Sequence, residues 1–209
     1  MKKVFWGFLI LAFIACKGKE KEPQTLTVIM HMGKEYRKIV KQKDKIKRVP
    51  EGFSFVDENG RRVKILEDHK GKILVIGYIY THCPDVCPMI TQNMKKIYDL
   101  VGKNKDVVFL SVTLDPMRDK PDVLREYKDV HEINAGNWKF LTGDEGEIEK
   151  FLKYMGIVWE KYDAGNTYFL AHTDRIHLVD KNGYVVGYLQ GSTVDPKEVA
   201  NFLRELLRP

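Results

Sequence analysis

The sequence is sparing with cysteine: 209 residues contain three, Cys16, Cys83 and Cys87. That excludes the dense disulfide framework of small exported folds, so the fold must rest on an apolar core. Material for a core is present, since 44% of the residues are hydrophobic and 11% aromatic. Long apolar runs are missing. The longest, "VFWGFLILAFIA", covers residues 4–15 and is short for a membrane span. Neither sign of charge dominates: 35 Lys and Arg are mixed along the chain with 29 Asp and Glu, leaving +6. Such a surface is solvated rather than shaped for nucleic acid, and no nucleic-acid partner is expected. The chain has no internal repeat or low-complexity tract, and no proline between Pro121 and Pro196. Its length suits one domain with appendages.

At the N-terminus, Lys2 and Lys3 precede the apolar run, and Cys16 follows it. A charged start, a short apolar stretch and a small residue before a cut are the marks of an export signal. "AFIAC" resembles the lipobox of bacterial lipoproteins, with Phe13 bulkier than that pattern usually has. The resemblance implies cleavage before Cys16 and lipid on its sulfur; an uncleaved anchor is the alternative. The expected organisation is an export signal over 1–15, a lipid-anchored spacer and arm over 16–49, and a folded domain over 50–209. That domain would lie outside the cytoplasm, on the periplasmic side of a membrane. Within the arm, "TLTVIMHM" alternates and reads as a strand. Met30, His31 and Met32 are soft ligand types, but alternation sets both methionines on one face and His31 on the other, as in a packing strand. The basic stretch "KEYRKIVKQKDKIKRVP" is expected to be exposed.

Beyond Pro50 the signals are regular. "FSFVDENGRRVKI" reads as a hairpin turning at Asn59-Gly60. "ILVIGYIY" (73–80) and "VVFLSVTL" (107–114) are continuous apolar runs, the mark of strands covered on both faces. Between them Ile90, Met94, Ile97, Tyr98 and Val101 recur at helical spacing. One further helix carries Pro121 in its first turn, and another runs from about Glu145 to Met155. "RIHLVD" and "YVVGYLQ" flank Lys181-Asn182-Gly183 as a second hairpin. Asp195-Pro196-Lys197-Glu198 has the cap, first-turn proline and acid that open a last helix to Leu207. The order, β-α-β-α-β-β-α after a leading hairpin, resembles the thioredoxin-like α/β fold: a central mixed sheet flanked by helices, with an added N-terminal β-hairpin.

With Cys16 assigned to lipid, Cys83 and Cys87 remain as a pair where disulfides can form. A bridge across so short a loop restrains the unfolded chain little, so stapling explains the pair poorly. A helix start beside them favours thiolate, and Pro84 suits a first-turn position. Two thiolates are a soft set, suited to Cu(I), to Zn(II) or to disulfide exchange. Of the six histidines, His82 adjoins Cys83 and is expected to point away, and His177 sits between Ile176 and Leu178 in a strand and lines a sheet face. His172 differs. It lies in "TYFLAHTDR", read as a loop before the strand neighbouring the Cys83 strand, and in thioredoxin-like folds that loop faces the cysteine motif.

"YTHCPDVCP", "SVTLDPMRDKPDVLREY", "FLTGDEGEIEKFLKYMGI" and "TYFLAHTDRIHLVDKNG" together resemble the successive motifs of the Sco/SenC family of copper proteins. The resemblance covers residues 50–207. It implies one copper ion, Cu(I) or Cu(II), held by Cys83, Cys87 and His172. It also implies service in assembling the dinuclear copper site of cytochrome c oxidase, by delivering copper or by reducing that site's cysteines. The implied partners are the copper-site subunit of the oxidase, and an upstream copper donor or thiol reductant. Where the family often has Asp before the ligand histidine, this chain has Ala171, so a carboxylate orienting the imidazole is either absent or replaced by Asp174 or Asp115. Asp85, between the cysteines, is either a helix-terminal acid or a docking residue. The competing class is an exported thiol–disulfide oxidoreductase or peroxide reductase, with Cys83 and Cys87 as its redox disulfide. Against it stand the longer cysteine spacing and the missing proline ahead of the last hairpin. A zinc site usually needs a fourth protein ligand, which only His82 or Asp85 could provide.

Overall fold

The computed structural model describes residues 26–29, 37–40, 47–101 and 104–208. Cys16, Met30, His31 and Met32, with the expectations placed on them, lie outside the described residues. In the arm, β1 (Leu26–Ile29) and β2 (Arg37–Val40) pair antiparallel, Leu26 opposite Val40. The second of these strands falls in the basic stretch read as exposed spacer; its Ile39-Val40 is the β-branched element there. The chain joins the body at residues 47–49, where Val49 donates its N–H to Gly183 and is fully buried.

The body opens with the expected hairpin, β3 (Ser54–Asp57) and β4 (Arg62–Lys64). The buried Asp57 carboxylate accepts the N–H groups of Asn59 and Arg61, both at 2.9 Å, and Gly60 takes the positive φ (+77°) that the turn requires. Then follow β5 (Ile73–Ile79), α1 (Val86–Val101), β6 (Val107–Thr113), α2 (Pro121–Val130), β7 (Trp138–Thr142) and α3 (Glu145–Met155). A ribbon of β8 (Trp159–Ala164) and β9 (Thr167–His172) comes next, and β10 (Ile176–Val179), β11 (Val185–Leu189) and α4 (Pro196–Leu207) complete the chain. Seven strands form one sheet in the order β11-β10-β5-β6-β7-β3-β4, with β5, β6 and β7 parallel and the remaining pairs antiparallel.

Every residue of β5 and β6 is buried, as their unbroken apolar runs require. Helix α1 buries Cys87, Ile90, Thr91, Met94, Ile97 and Tyr98, one stripe at helical spacing, against β5 and α4. It seats closely enough that a Cβ on Gly77 of β5 would overlap the Met94 sulfur. Thr91 and Tyr127 join α1 to α2 through their hydroxyls at 3.0 Å. Phe151 of α3 meets Phe53 and Phe55 edge-on, with ring centroids 5.2 and 5.4 Å away. The final helix starts as read, Asp195 accepting the Lys197 N–H at 2.9 Å ahead of Pro196.

Two elements go beyond the sequence reading. Strand β7, "WKFLT", is only five residues long; it completes a second β-α-β unit with β6 and α2. The β8–β9 ribbon is strongly polar along "WEKYDA" and pairs only with itself, so it lacks the apolar run that betrays a sheet strand. No helix among the described residues is long and apolar enough to cross a membrane.

His177, expected on a sheet face, is buried with its Nδ1 2.9 Å from the hydroxyl of the fully buried Tyr78. Burial, helped by the nearby charges of Arg175 and Lys47, pushes the imidazole down to about 3. Between that value and about 6.5 the unfolded imidazole binds a proton that the folded one refuses. The unfolded state therefore gains as pH falls, and stability is lost below about pH 6.5. Urea unfolding at pH 7.5 and 5.0 should show His177→Gln losing less on acidification than the unaltered protein. The difference should approach roughly 1.4 kcal/mol per pH unit, the slope of one proton. Equal losses would contradict this role for His177.

Candidate metal centre

The three singled-out donors meet at the carboxyl ends of β5 and β6. Cys83 lies in the loop after β5, its N–H on the Tyr80 carbonyl at 3.2 Å, and Cys87 in the first turn of α1. Both are buried and free of any disulfide. His172 is the last residue of β9, a strand position rather than the loop expected. The two Sγ atoms and an imidazole nitrogen lie within 4.8 Å of one another, and Cys87 Sγ is 3.3 Å from His172 Nε2. Among the described residues these three form the one such group of His, Cys, Asp and Glu.

A short acidic segment beyond β6 holds the cysteine loop. Asp119, fully buried, accepts the Thr113 hydroxyl at 2.5 Å, the Thr81 hydroxyl at 2.5 Å and the Thr81 N–H at 3.2 Å. Burial raises its carboxyl above the usual range while those donors pull the other way. Asp119 thus ties Thr81, two residues ahead of Cys83, to the end of β6.

The same segment holds the ribbon that carries His172. Arg118 pairs with Asp115, lies over the Tyr168 ring (3.6 Å to its centroid) and donates to the Tyr168 carbonyl at 3.1 Å. The Tyr168 hydroxyl donates to Asp115 at 2.9 Å, and Leu170 donates its N–H to the Tyr80 hydroxyl at 3.1 Å. At the ribbon's base the Thr173 N–H reaches the Val158 carbonyl at 2.9 Å, and its hydroxyl accepts the Val158 N–H at 3.0 Å.

His172 Nδ1 faces its neighbour's carbonyl, Thr173 O, at 3.1 Å. A carbonyl only accepts, so the neutral ring carries its proton on Nδ1 and turns the Nε2 lone pair towards the sulfurs. This corrects the reading that offered Asp174 or Asp115 as the orienting carboxylate. Asp174 accepts from the Ser192 N–H at 3.1 Å and from its hydroxyl, and Asp115 is engaged by Arg118 and Tyr168. A main-chain carbonyl orients the ring instead. Asp85 exposes its side chain and contributes its N–H to the Cys83 sulfur. His82 is exposed and turned onto the Thr81 hydroxyl at 2.9 Å, away from the sulfurs as expected. Pro84 precedes α1, and Pro88 takes the first-turn position. Tyr80, Arg118, Asp119 and Tyr168 were not singled out from sequence. An acidic stretch at the carboxyl end of a buried parallel strand was the signal available, since sites in α/β sheets gather there.

The cysteines are electrostatically unequal. A hydrogen bond from Cys87, aided by the N–H groups of Cys87 and Asp85, pulls the Cys83 thiol well down despite burial. Burial, reinforced by the neighbouring Cys83 sulfur, pushes Cys87 well up. The centre therefore offers one thiolate, one thiol that donates to it, and one imidazole. Two sulfurs and one nitrogen fit a soft or borderline ion such as copper, and fall one short of the usual structural zinc set. The inequality is measurable. Brief treatment with iodoacetamide at pH 6, read by peptide mass spectrometry, should label Cys83 at least tenfold faster than Cys87, because the thiolate is the nucleophile. Equal labelling, or Cys87 first, would contradict this assignment.

Comparison with known proteins agrees with the geometry. The SCO1/SenC family model matches residues 41–208. An SCO2-like protein of Rickettsia typhi is 33% identical over 171 residues, 78% of this chain and 79% of that one. A SCO1/SenC family lipoprotein from Bacillus anthracis superposes with a TM-score of 0.71 at 29% identity, over 80% of this chain and 99% of its own. Bradyrhizobium japonicum ScoI, solved with copper bound, gives a TM-score of 0.69 at 29% identity, over 77% of this chain and all of its own. With the mixed sheet and flanking helices, these likenesses bear out the thioredoxin-like fold expected from the element order. The chain belongs to the SCO1/SenC family.

Proposed function

We propose that this protein carries one copper ion on Cys83, Cys87 and His172 and serves assembly of the dinuclear copper site of cytochrome c oxidase, the process with which the Sco family is associated. The observation that carries the reading is the cluster itself, two sulfurs and one imidazole nitrogen within 4.8 Å. Three donors leave one side of an ion open, and a partner's cysteine, histidine or methionine can enter there and take the cargo by stepwise ligand exchange. Binding would displace the Cys87 proton, since a ligating thiol must be deprotonated. A second reading, a thiol–disulfide exchanger, is favoured by the unequal pair, a thiolate beside a buried partner thiol. The two readings also differ in partner: an upstream copper donor for the first, an upstream thiol reductant for the second.

Competition titration against a copper chelator separates them, run on the unaltered protein, His172→Ala and Cys83→Ser/Cys87→Ser, with disulfide reductase turnover measured in parallel. The carrier reading expects both variants to lose at least about 10–100-fold in affinity, with Cu(II) weakened more than Cu(I) in His172→Ala and little turnover in any protein. Retained copper affinity in His172→Ala together with brisk cysteine-dependent turnover would favour the enzyme.

We further propose that residues 1–15 direct export, that Cys16 carries lipid, and that residues 16–49 hold the domain of residues 50–209 near the membrane, outside the cytoplasm. The motif "AFIAC" and the likeness to a SCO1/SenC family lipoprotein support this. Membrane fractionation should find Cys16→Ala largely released. A variant that stays as firmly bound as the unaltered protein would point to an uncleaved anchor.

A further inference from the structure

Tyr80 touches all three donor residues, and nothing in the reading above assigns it a task. It follows β5 directly and is buried. Its N–H points to Cys87 Sγ at 3.5 Å. Its ring stands edge-on to the His172 imidazole, with centroids 5.9 Å apart and planes at 79°. Its hydroxyl accepts the Leu170 N–H at 3.1 Å, two residues before His172 on β9. Its carbonyl accepts the Cys83 N–H at 3.2 Å. Tyr80 thus joins the strand that presents the imidazole, through its hydroxyl, to both cysteines, through its main chain.

The geometry points to Tyr80 as the positioning residue of the centre: its hydroxyl fastens β9 to the cysteine loop, and it thereby holds the His172 imidazole where a bound copper ion needs it. The second half of this proposal rests on the copper reading, and the first does not. Among the described residues the β8–β9 ribbon pairs only with itself, so side-chain contacts from the body fix its place. Besides the clamp at its base, those named above are the Tyr80 hydroxyl and the Arg118–Asp115–Tyr168 cluster, and only the first reaches the donors. A copper site that loses its imidazole is left with sulfur donors alone, so the placement of β9 decides whether the mixed nitrogen and sulfur set is complete.

Tyr80→Phe removes the hydroxyl and keeps both the ring and the N–H. Tyr168→Phe is its control, removing a ribbon contact that reaches none of the donors. In the metal-free protein, amide hydrogen exchange at Leu170 should quicken about tenfold in Tyr80→Phe, the scale of one lost hydrogen bond. With Cu(II) added, the sulfur-to-copper absorption band of Tyr80→Phe should shift as the imidazole is displaced, and affinity should fall about 10–100-fold. In Tyr168→Phe the band should stay in place, even where affinity falls. Unchanged Leu170 exchange in Tyr80→Phe overturns the fastening. An unmoved band, or the same movement in Tyr168→Phe, overturns the holding of the imidazole by Tyr80. Failure of the unaltered protein to bind copper would instead sink the copper reading, while the metal-free exchange result would still decide the fastening.

Discussion

Cys87 Sγ and His172 Nε2 stand 3.3 Å apart although 85 residues separate them in sequence. That close approach joins two bodies of different kinds. One is the buried parallel pair β5–β6 with α1 packed on it, a core whose members are almost wholly withdrawn from water. The other is the β8–β9 ribbon, polar along one strand and, among the described residues, paired with nothing but itself. A core of this kind is rigid because interiors pack at crystal density, whereas a two-stranded ribbon is marginal without support. The polar contacts at the carboxyl end of the sheet make up the difference. Asp119 fixes the cysteine side, Asp115 and Arg118 grip the ribbon, and Tyr80 belongs to both.

The same arrangement distributes charge. Cys83, at the mouth of α1 among N–H groups, is held as thiolate, while Cys87, deeper and packed against the sheet, keeps its proton beside an imidazole lone pair. Burying two thiolates side by side would be costly in a low-dielectric interior. One thiolate and one shared proton avoid that cost until a cation arrives to neutralise the pair. A soft ion can enter with few rearrangements and leave by exchanging one donor at a time.

Much of this was legible in the sequence where a pattern was strong. The unbroken runs of β5 and β6, the stripe of α1, the Asn59-Gly60 turn and the Asp195-Pro196 helix start each carry their own physical signal. So do the two cysteines ahead of a helix. His172 was picked out by its place before the β10 strand, though as a loop residue. The β8–β9 ribbon stayed hidden because its stability comes from cross-strand pairing and side-chain grips, neither of which leaves a hydrophobic period. Strand β7 was hidden by brevity. The orienting partner of His172 could not be read, since a main-chain carbonyl is present at every residue and only the fold says which one faces the ring. Asp115 and Asp174 were reasonable carboxylates for that task, and each proved to be committed to neighbours of its own.

The central claim is that Cys83, Cys87 and His172 together hold a single copper ion. X-ray absorption at the copper edge, on the protein loaded with one equivalent of Cu(I), tests it without reference to any partner. The account predicts two sulfur scatterers and one nitrogen scatterer around each copper, with the nitrogen lost in His172→Ala and both sulfurs lost in Cys83→Ser/Cys87→Ser. A shell of nitrogen and oxygen alone, or a spectrum indifferent to both variants, would contradict it.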